Sequence, residues 1–244
     1  MTKLPRAMLI DMDDTILSAY GRPEIAWNTI TAEFAGELAP LSSEQVAAAI
    51  LTFARQFWAT AEAAWRLKLT EARQLTVKGG FAALAAANGT ILSDDLAVRL
   101  ADRFTTYREE EMFVFPGAHD AIDAFKAHGV KLALVTNGAA DTQRAKVERF
   151  ELAHRFDHIQ IEGEHGFGKP EERAYLHAMA ALGVTAPETW MIGDNLEWEV
   201  EVPQRLGIYA IWIDVHGQGL PVDSTVKPDR IIRSLTELVP VEHK

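Results

Sequence analysis

Cysteine is absent from this sequence of 244 residues. Its absence excludes disulfide bonds, thiolate metal ligands, cysteine nucleophiles and thiol redox chemistry. Long hydrophobic runs are also missing, because no stretch approaches the roughly 18 apolar residues that a membrane-spanning helix requires. The apolar stretch near the N-terminus covers only residues 7–10, which is too short for the core of a signal peptide. We therefore expect a cytoplasmic protein with no membrane partner.

Positive charge is scarce. The sequence has 24 Lys and Arg against 35 Asp and Glu, which gives a formal net charge of −11. Nucleic-acid-binding surfaces depend on clustered Lys and Arg, so we expect no nucleic-acid partner. The composition is otherwise that of a globular protein, with 48% hydrophobic and 24% charged residues. A chain of this length can form one large domain or a core with a smaller insertion, and we expect a monomer or homodimer.

Short apolar runs alternate with helical patterns along much of the sequence. The runs occupy residues 7–10, 130–135, 189–192 and 209–213. Each run ends in small or acidic residues, as a buried parallel strand does where it opens into a loop. This alternation predicts an α/β fold, with a parallel sheet covered by helices on both faces. Such sheets bind ligands at the carboxyl ends of their strands, where the polar residues of this sequence lie.

Residues 18–112 interrupt the alternation. This stretch has no clear strand pattern and contains several long amphipathic helical patterns. The sequence therefore predicts an all-helical domain at residues 18–112, inserted into a core that contains the sheet and is formed by residues 1–17 and 113–244.

Local signals mark helix ends inside the insertion. Ser42, followed three residues later by Gln45, predicts a capping box, and Ser93 predicts the start of another helix. The paired glycines Gly79 and Gly80 indicate either a loop that approaches a ligand closely or a break in a helix.

Two aspartates follow the first predicted strand. Asp11 and Asp13 flank a single residue, so in an extended chain both side chains point to the same side. Such carboxylates repel each other, which favours a cation beside them, and Mg²⁺ with Asp11 and Asp194 as oxygen ligands fits this chemistry. Asp11 can also act as a covalent nucleophile toward phosphorus, with Asp13 as general acid and base. Taken singly, each aspartate is equally compatible with a helix cap or turn.

A second group of residues suits a phosphate. Thr136 offers a hydroxyl at the end of a predicted strand, and Asn137 and Gly138 offer main-chain N–H groups beside a helix start. Lys169 lies in a glycine-rich loop and could balance the charge of carboxylates and phosphate together. The alternative is that residues 136–138 form an ordinary strand-to-helix turn and that Lys169 is a solvated surface residue.

Acidic residues follow Asp194 closely. Among them, Glu199 is the best placed to support the metal site by holding water molecules bound to the ion, and Asn195 adjoins Asp194. The histidines show no ligand-like spacing in the sequence, and we expect them to be surface or ordinary core residues. Those considered are His119, His128, His154, His158 and His165.

The polar motifs resemble, in order, the four motifs of the haloacid dehalogenase superfamily of phosphohydrolases. They are Asp11-Met12-Asp13-Asp14-Thr15, Thr136-Asn137-Gly138, Lys169-Pro170 and Gly193-Asp194-Asn195. The resemblance spans nearly the whole chain. It implies a Rossmann-like three-layer core and a helical cap inserted after the first motif, which is where the predicted insertion lies.

The resemblance also implies residue roles. Asp11 is the implied nucleophile and Asp13 the implied general acid and base. The implied phosphate-binding residues are Asp11, Met12, Asp13, Thr136, Asn137 and Lys169. The implied Mg²⁺ ligands are Asp11, Asp194 and the carbonyl of Asp13. Family members commonly carry Asp at the position of Glu199, whose side chain is one methylene longer.

Asp13 separates phosphate chemistry from dehalogenation within this family. The family's dehalogenases lack a carboxylate at this position, since a departing halide needs no proton. We therefore expect an Mg²⁺-dependent phosphomonoester hydrolase that acts on a small soluble phosphorylated metabolite through an aspartyl-phosphate. A sugar phosphomutase with the same nucleophile, or a catalytically silent binding or scaffold protein on this fold, remain alternatives. A receiver module is half this length and fits less well.

Overall fold

The computed structural model describes residues 4–19 and 21–240. The chain divides into two compact units. One contains the residues up to Ser18 and from Phe113 onward, and the other is Ala19–Met112. The division expected from the sequence places the first junction one residue earlier, between residues 17 and 18.

A six-stranded parallel sheet forms the centre of the first unit, in the order β5-β4-β1-β6-β7-β8. The strands are β1 Ala7–Ile10, β2 Leu17–Ser18, β3 Phe113–Val114, β4 Lys131–Thr136, β5 His158–Ile161, β6 Thr189–Gly193, β7 Tyr209–Ile213 and β8 Arg230–Ile232. The short strands β2 and β3 pair with each other in an antiparallel ribbon where the chain leaves and re-enters this unit. The predicted parallel α/β sheet is confirmed.

The central position of β1 explains its continuous apolar sequence. Ile10 pairs with Leu134 of β4 on one side and with Ile192 of β6 on the other. All four side chains of β1 are fully buried. A strand covered on both faces has no polar face, so it lacks the alternation of a half-exposed strand.

Five α-helices are described in the second unit: α1 Pro23–Glu33, α2 Ala35–Leu38, α3 Ser43–Thr60, α4 Leu69–Asn88 and α5 Asp94–Glu110. The predicted capping box is present: Ser42 Oγ accepts from the Gln45 N–H at 3.3 Å, and Gln45 Oε1 accepts from the Ser42 N–H at 2.9 Å. Ser93 caps α5 by accepting from the Leu96 N–H at 3.2 Å. The apolar faces of these helices form the core of this unit.

The paired glycines lie inside α4, so the prediction of a loop or helix break at this point is wrong. A Cβ atom on Gly80 would lie 2.9 Å from the main chain of Ile50 in α3, and one on Gly79 would lie 2.2 Å from the Phe53 ring. The absence of side chains at these positions allows α3 and α4 to approach closely. The glycines therefore serve helix packing.

Helices cover both faces of the parallel sheet: α6 Ala118–Ala127, α7 Ala140–Arg149, α8 Glu162–His165, α9 Glu172–Leu182 and α10 Val202–Arg205. Leu9 and Ala133 point to the face where Tyr175 of α9 packs. Met8 and Ile10 point to the opposite face because side chains alternate along a strand, and α6 contacts β4 there. This is the Rossmann-like three-layer arrangement. No helix in the described part of the chain is long and apolar enough to cross a bilayer.

Candidate active site

The polar motifs meet at one edge of the parallel sheet. Asp11 directly follows β1, Thr136 ends β4, and Asp194 directly follows β6. The Asp11 N–H donates to the Ile192 carbonyl at 3.0 Å, which continues the pairing of β1 and β6 to the strand ends. Parallel strands present their carboxyl ends on the same side, so residues more than 100 positions apart in sequence become neighbours.

Lys169 is buried between two carboxylates. Its Nζ atom lies 2.5 Å from Asp11 Oδ1 and 2.7 Å from Glu199 Oε1. The Asn137 amide fixes the main chain of Lys169, donating from Nδ2 to its carbonyl at 2.6 Å and accepting from its N–H at Oδ1 at 2.9 Å. Burial opposes a charged amine, but Asp11 and Glu199 outweigh this effect and raise the pKa of Lys169. The lysine is therefore a permanent cation in the site.

The carboxylates of this cluster have raised pKa values. Burial, with a further contribution from the charge of Asp13, raises the pKa of Asp11 against the opposing effect of Lys169. Burial likewise raises the pKa of Glu199 to about 7. Loss of solvation and the charges of Asp11 and Glu199 raise the pKa of Asp194, although this residue keeps an exposed face. Lys169 alone therefore does not offset the burial of these carboxylates and their mutual repulsion.

Asp13 is held by two residues that the sequence analysis missed. Lys146 Nζ lies 2.8 and 2.7 Å from the two carboxylate oxygens of Asp13. Gln143 Nε2 donates to Asp13 Oδ2 at 3.1 Å and to Thr136 Oγ1 at 2.6 Å. Both side chains are buried although α7 is otherwise polar. Their spacing of three residues on the helix that follows Thr136 places them on one helix face, and this is the signal that could have identified them.

The first loop orients Asp11. The Thr15 hydroxyl donates to Asp11 Oδ2 at 3.1 Å, so both oxygens of this carboxylate have partners. The Met12 side chain is fully buried, and only its main chain is available to a ligand. The loop thus fixes the direction of the Asp11 carboxylate and directs the intervening side chain into the core.

Some polar groups of the segment after β4 are engaged within the protein. The Gly138 N–H donates to Glu162 Oε2 at 3.0 Å, so this main-chain group serves the protein's own structure. The Asn137 side chain is occupied by the main chain of Lys169. Thr136 Oγ1 accepts from Gln143, which leaves the hydroxyl hydrogen to donate to a ligand.

The loop after β6 is fixed from several directions. Glu199 Oε2 accepts from the Asn195 N–H at 2.8 Å, and the Asn195 side chain caps the helical turn that follows. A Cβ atom on Gly193 would lie 2.1 Å from Glu199 Cγ, so the approach of Glu199 requires glycine. The Trp212 indole donates to the Asp194 carbonyl at 2.6 Å. Glu199 therefore links the main chain beside Asp194 to the Lys169 ammonium.

The donor set suits a hard divalent cation. Asp11 and Asp194 supply carboxylate oxygens at neighbouring strand ends, and oxygen ligands are those that Mg²⁺ prefers. Asp11, Asp194 and Glu199 when ionised carry three negative charges against the single positive charge of Lys169. A divalent ion would balance this excess, which is also the excess that contributes to the raised pKa of Asp194. The residues present thus fit Mg²⁺.

Comparison with known proteins identifies a family and several relatives of this chain. The family model for haloacid dehalogenase-like hydrolases matches residues 5–207. The phosphoserine phosphatase of Thermus thermophilus is 37% identical over 144 residues, which make up 58% of this chain and 56% of that protein. The N-acylneuraminate-9-phosphatase of Rattus norvegicus is 36% identical over 110 residues, or 45% of this chain and 44% of that protein. The chain therefore spans about half the length of the curated relatives it matches.

Solved structures match over almost the entire chain. The HAD-hydrolase YfnB of Bacillus subtilis, crystallised with bound magnesium, superposes with a TM-score of 0.68 at 25% identity and covers 97% of both chains. A HAD phosphatase from Thermococcus onnurineus superposes with a TM-score of 0.64 at 22% identity, covering 96% of this chain and 95% of the other. These likenesses confirm the fold of the chain.

Proposed function

The chain belongs to the haloacid dehalogenase-like hydrolases, and on this premise we propose that it hydrolyses phosphomonoesters of small metabolites through an aspartyl-phosphate on Asp11. The observation that carries the proposal is the arrangement of two carboxylates. Asp11 is buried and oriented by Lys169, and Asp13, two residues on, is held separately by Lys146. This arrangement supports Asp11 as the nucleophile and Asp13 as the acid and base.

In the first step, an oxygen of Asp11 attacks phosphorus while the bond from phosphorus to the ester oxygen breaks. Asp13 enters this step in its protonated form and donates that proton to the departing oxygen, so that an alcohol leaves. Thr15 and Lys169 hold the Asp11 carboxylate in one orientation. Less conformational entropy is therefore lost when the transition state is reached. Lys169 also places a positive charge beside the transferred group.

In the second step, Asp13 accepts a proton from water, and the water oxygen attacks the phosphorus bound to Asp11. The bond between phosphorus and the Asp11 oxygen breaks, which releases inorganic phosphate and restores both carboxyl groups. Thr136 directs its hydroxyl hydrogen toward the phosphate oxygens in both steps. Gln143 makes this direction favourable because it donates to the oxygen of the same hydroxyl.

Asp11, Asp194 and the main-chain carbonyl of Asp13 are the residues that would hold Mg²⁺. When bound, the ion would neutralise charge on the phosphate and the surrounding carboxylates. Glu199 supports this arrangement through two contacts. It accepts from the Asn195 N–H and forms an ion pair with the Lys169 ammonium.

The curated relatives support the substrate class. They are named as phosphatases of phosphoserine, of an N-acylneuraminate 9-phosphate and of ribulose 1,5-bisphosphate, all small phosphorylated metabolites. Asp13 supports phosphate over halide chemistry, because a departing alkoxide requires the proton that a halide does not. We therefore assign the substrate to small phosphomonoesters as a class.

The test is release of inorganic phosphate from an aryl phosphate and from a panel of small phosphomonoesters. Purified wild-type protein is compared with Asp11→Asn and with Asp14→Asn, each with Mg²⁺ and after chelation. We expect activity only with Mg²⁺, and a loss on the order of 10³-fold or more in Asp11→Asn. Asp14 is the matched control because it belongs to the same loop and has no assigned role in catalysis.

Unchanged phosphate release in Asp11→Asn would overturn the assignment of the nucleophile. No release from any ester by folded, Mg²⁺-loaded protein would overturn the hydrolase assignment. Phosphoryl transfer to a sugar hydroxyl without release of phosphate would identify a mutase.

A further inference from the structure

Three histidine rings lie together at the edge of the parallel sheet. His158 begins β5, His165 ends α8 and His177 lies in α9. One potential ligand atom from each ring lies within 4.8 Å of the other two. The spacing of these histidines in the sequence does not reveal the cluster, because three separate elements bring the rings together.

Hydrogen bonds orient two of the three rings. His165 Nδ1 lies 3.1 Å from the Ile161 carbonyl, and His177 Nδ1 lies 2.8 Å from Gln160 Oε1. Gln160 donates through its Nε2 to the Ala174 carbonyl at 2.9 Å, which fixes its oxygen as the acceptor for His177. Each Nδ1 therefore carries the hydrogen, and each Nε2 of His165 and His177 carries a lone pair.

His158 completes the set with a buried nitrogen. Its Nε2 atom is buried and has no hydrogen-bond partner at ordinary distance and angle among the residues that the structure describes. Burial lowers the pKa of His158, and the neighbouring His177 and His165 lower it further, against a smaller opposing effect of Gln160. The ring is therefore neutral near pH 7, which is the form that coordinates metals.

From this geometry we propose that His158, His165 and His177 form a binding site for a zinc-class divalent transition metal ion, separate from the carboxylate site. Imidazole nitrogens suit Zn²⁺, Co²⁺ and Ni²⁺, whereas Mg²⁺ selects oxygen ligands. Ligating histidines normally donate their second N–H to a carbonyl or carboxylate, and the bonds to Ile161 and Gln160 are of this kind. Three histidines leave a fourth tetrahedral position for water.

The distances are compatible with closure around an ion. Tetrahedral Zn²⁺ with Zn–N bonds of about 2.0–2.1 Å places its ligand nitrogens roughly 3.4 Å apart. The ligand atoms now lie up to 4.8 Å apart, so each pair must approach by at most about 1.4 Å. His177 is exposed, so an ion can reach the cluster from solvent.

Arg173 is a cation near the cluster. The Arg173 guanidinium stacks 4.6 Å from the centre of the Phe167 ring, which itself contacts His165 and His177. Its charge is already paired with Glu171, at 2.9 Å, and its Nη2 donates to the Gly166 carbonyl at 3.1 Å. Arg173 is therefore a paired cation, and its charge is offset by Glu171.

The consequence of metal binding concerns the segment that carries Lys169. His165 lies four residues before Lys169, and an ion held by all three rings would tie this segment to β5 and α9. A ligand that binds only the folded state raises its stability. At a free concentration near 100 times the dissociation constant, we expect the melting temperature to rise by about 5–10 °C.

The test titrates Co²⁺ and Zn²⁺ into the metal-stripped full-length protein in the presence of excess Mg²⁺. Visible absorption of bound Co²⁺ and calorimetry of Zn²⁺ report the ligand field and the stoichiometry. We expect one equivalent of tightly bound metal, with the absorption of nitrogen-ligated tetrahedral Co²⁺. Loss of a hydrogen bond that only supports a metal ligand lowers metal affinity by roughly 10- to 100-fold. In His177→Gln and in His165→Gln, the affinity for Co²⁺ and Zn²⁺ should fall by more than this.

His128→Gln is the matched control. His128 Nδ1 also contacts the carbonyl four residues earlier, of Ala124, at 2.8 Å, as His165 Nδ1 does with Ile161. His128→Gln should bind metal like the wild type, and so should Asp194→Asn. Circular dichroism verifies that the exposed His177 variant is folded.

The proposal is overturned if the wild type binds no transition metal, if His177→Gln binds with unchanged affinity, or if Asp194→Asn abolishes binding. The last outcome would place the ion in the carboxylate site. None of these results depends on phosphatase activity, so the proposal and the proposed function fail independently.

Discussion

Lys169 illustrates how single residues in this site depend on their neighbours. An isolated ammonium buried in protein would be strongly disfavoured, whereas here Asp11 and Glu199 lie within 2.5 and 2.7 Å of it. Removing Lys169 would leave two buried carboxylates without their cation, and removing either carboxylate would change the charge balance of the other two groups. Substitutions at these three positions will therefore change folding as well as chemistry, so other roles in the site are better tested outside this buried triad.

Lys146 provides such a test. Replacing it with Met removes the ion pair that orients Asp13, and we expect kcat to fall by about 10- to 100-fold with little change in KM. Lys146→Arg should restore part of the loss because it keeps the charge. Steady-state kinetics on one phosphomonoester measures both parameters. Lys126→Met, which removes an exposed lysine 3.5 Å from Asp157, is the control, and an equal loss there would contradict a specific role for Lys146.

The ion pair between Arg6 and Glu188 gives a prediction about pH. Hydrogen bonding to Arg6 lowers the pKa of Glu188 from 4.5 to about 2. A carboxyl whose pKa is lower in the folded state stabilises it above the unfolded value, and this contribution disappears as pH falls toward the folded value. Glu188→Gln should therefore be slightly less stable than wild type at pH 7.

The difference between wild type and Glu188→Gln should shrink between about pH 4.5 and pH 2. Urea unfolding at several pH values measures it. A difference that stays constant over this range would show that the carboxylate charge is not its source.

At the scale of elements, the contact between α3 and α4 depends on two missing side chains. Gly80→Ala places a Cβ atom 2.9 Å from the main chain of Ile50, which cannot rotate away as a side chain could. Overpacking costs about 1–3 kcal/mol and exceeds the gain of about 1 kcal/mol from replacing glycine in a helix.

We expect Gly80→Ala to lower the free energy of unfolding by up to about 2 kcal/mol, measured by urea denaturation. Gly36→Ala is the control, since a Cβ atom on Gly36 meets nothing within 4 Å. It should be neutral or slightly stabilising. Equal effects at the two positions would mean that helix propensity, and not packing, decides the outcome.

Element prediction worked best where the local signal was strong. The buried central strand β1 and the capped helices α3 and α5 follow from apolar runs and from Ser42 and Ser93. The edge strands β5 and β8 were missed because they are short and carry polar residues, which an edge position tolerates. Each pairs on one side only, with the strand of the sheet that precedes it in the chain.

For the whole molecule, net charge sets how anionic substrates arrive. The carboxylates of Asp11, Asp13, Asp194 and Glu199 would be balanced locally by Lys146, Lys169 and a divalent ion. The protein as a whole remains strongly negative, with a formal net charge of −11 before metal binding. A dianionic phosphate ester is therefore repelled at long range, because no excess positive field surrounds the site.

We expect kcat/KM for a dianionic ester to rise as ionic strength increases from about 0.02 to 0.2 M, because salt screens this repulsion. The kcat value should change little. Kinetics at constant free Mg²⁺ measures both, with an inert salt as the only variable. A kcat/KM that falls with salt would show that local positive charge dominates capture.

The sequence by itself determined the fold class and the identity of the main polar residues. Continuous apolar runs specify buried strands, and Asp11, Asp13 and Lys169 follow from motif order. The partners of these residues were decided only by the tertiary structure. Lys146 reaches Asp13 across 133 positions, and three histidines from separate elements converge on one cluster. Hydrophobic periodicity is local and can be read along the chain, whereas such contacts depend on how parallel strands and their helices are placed in space.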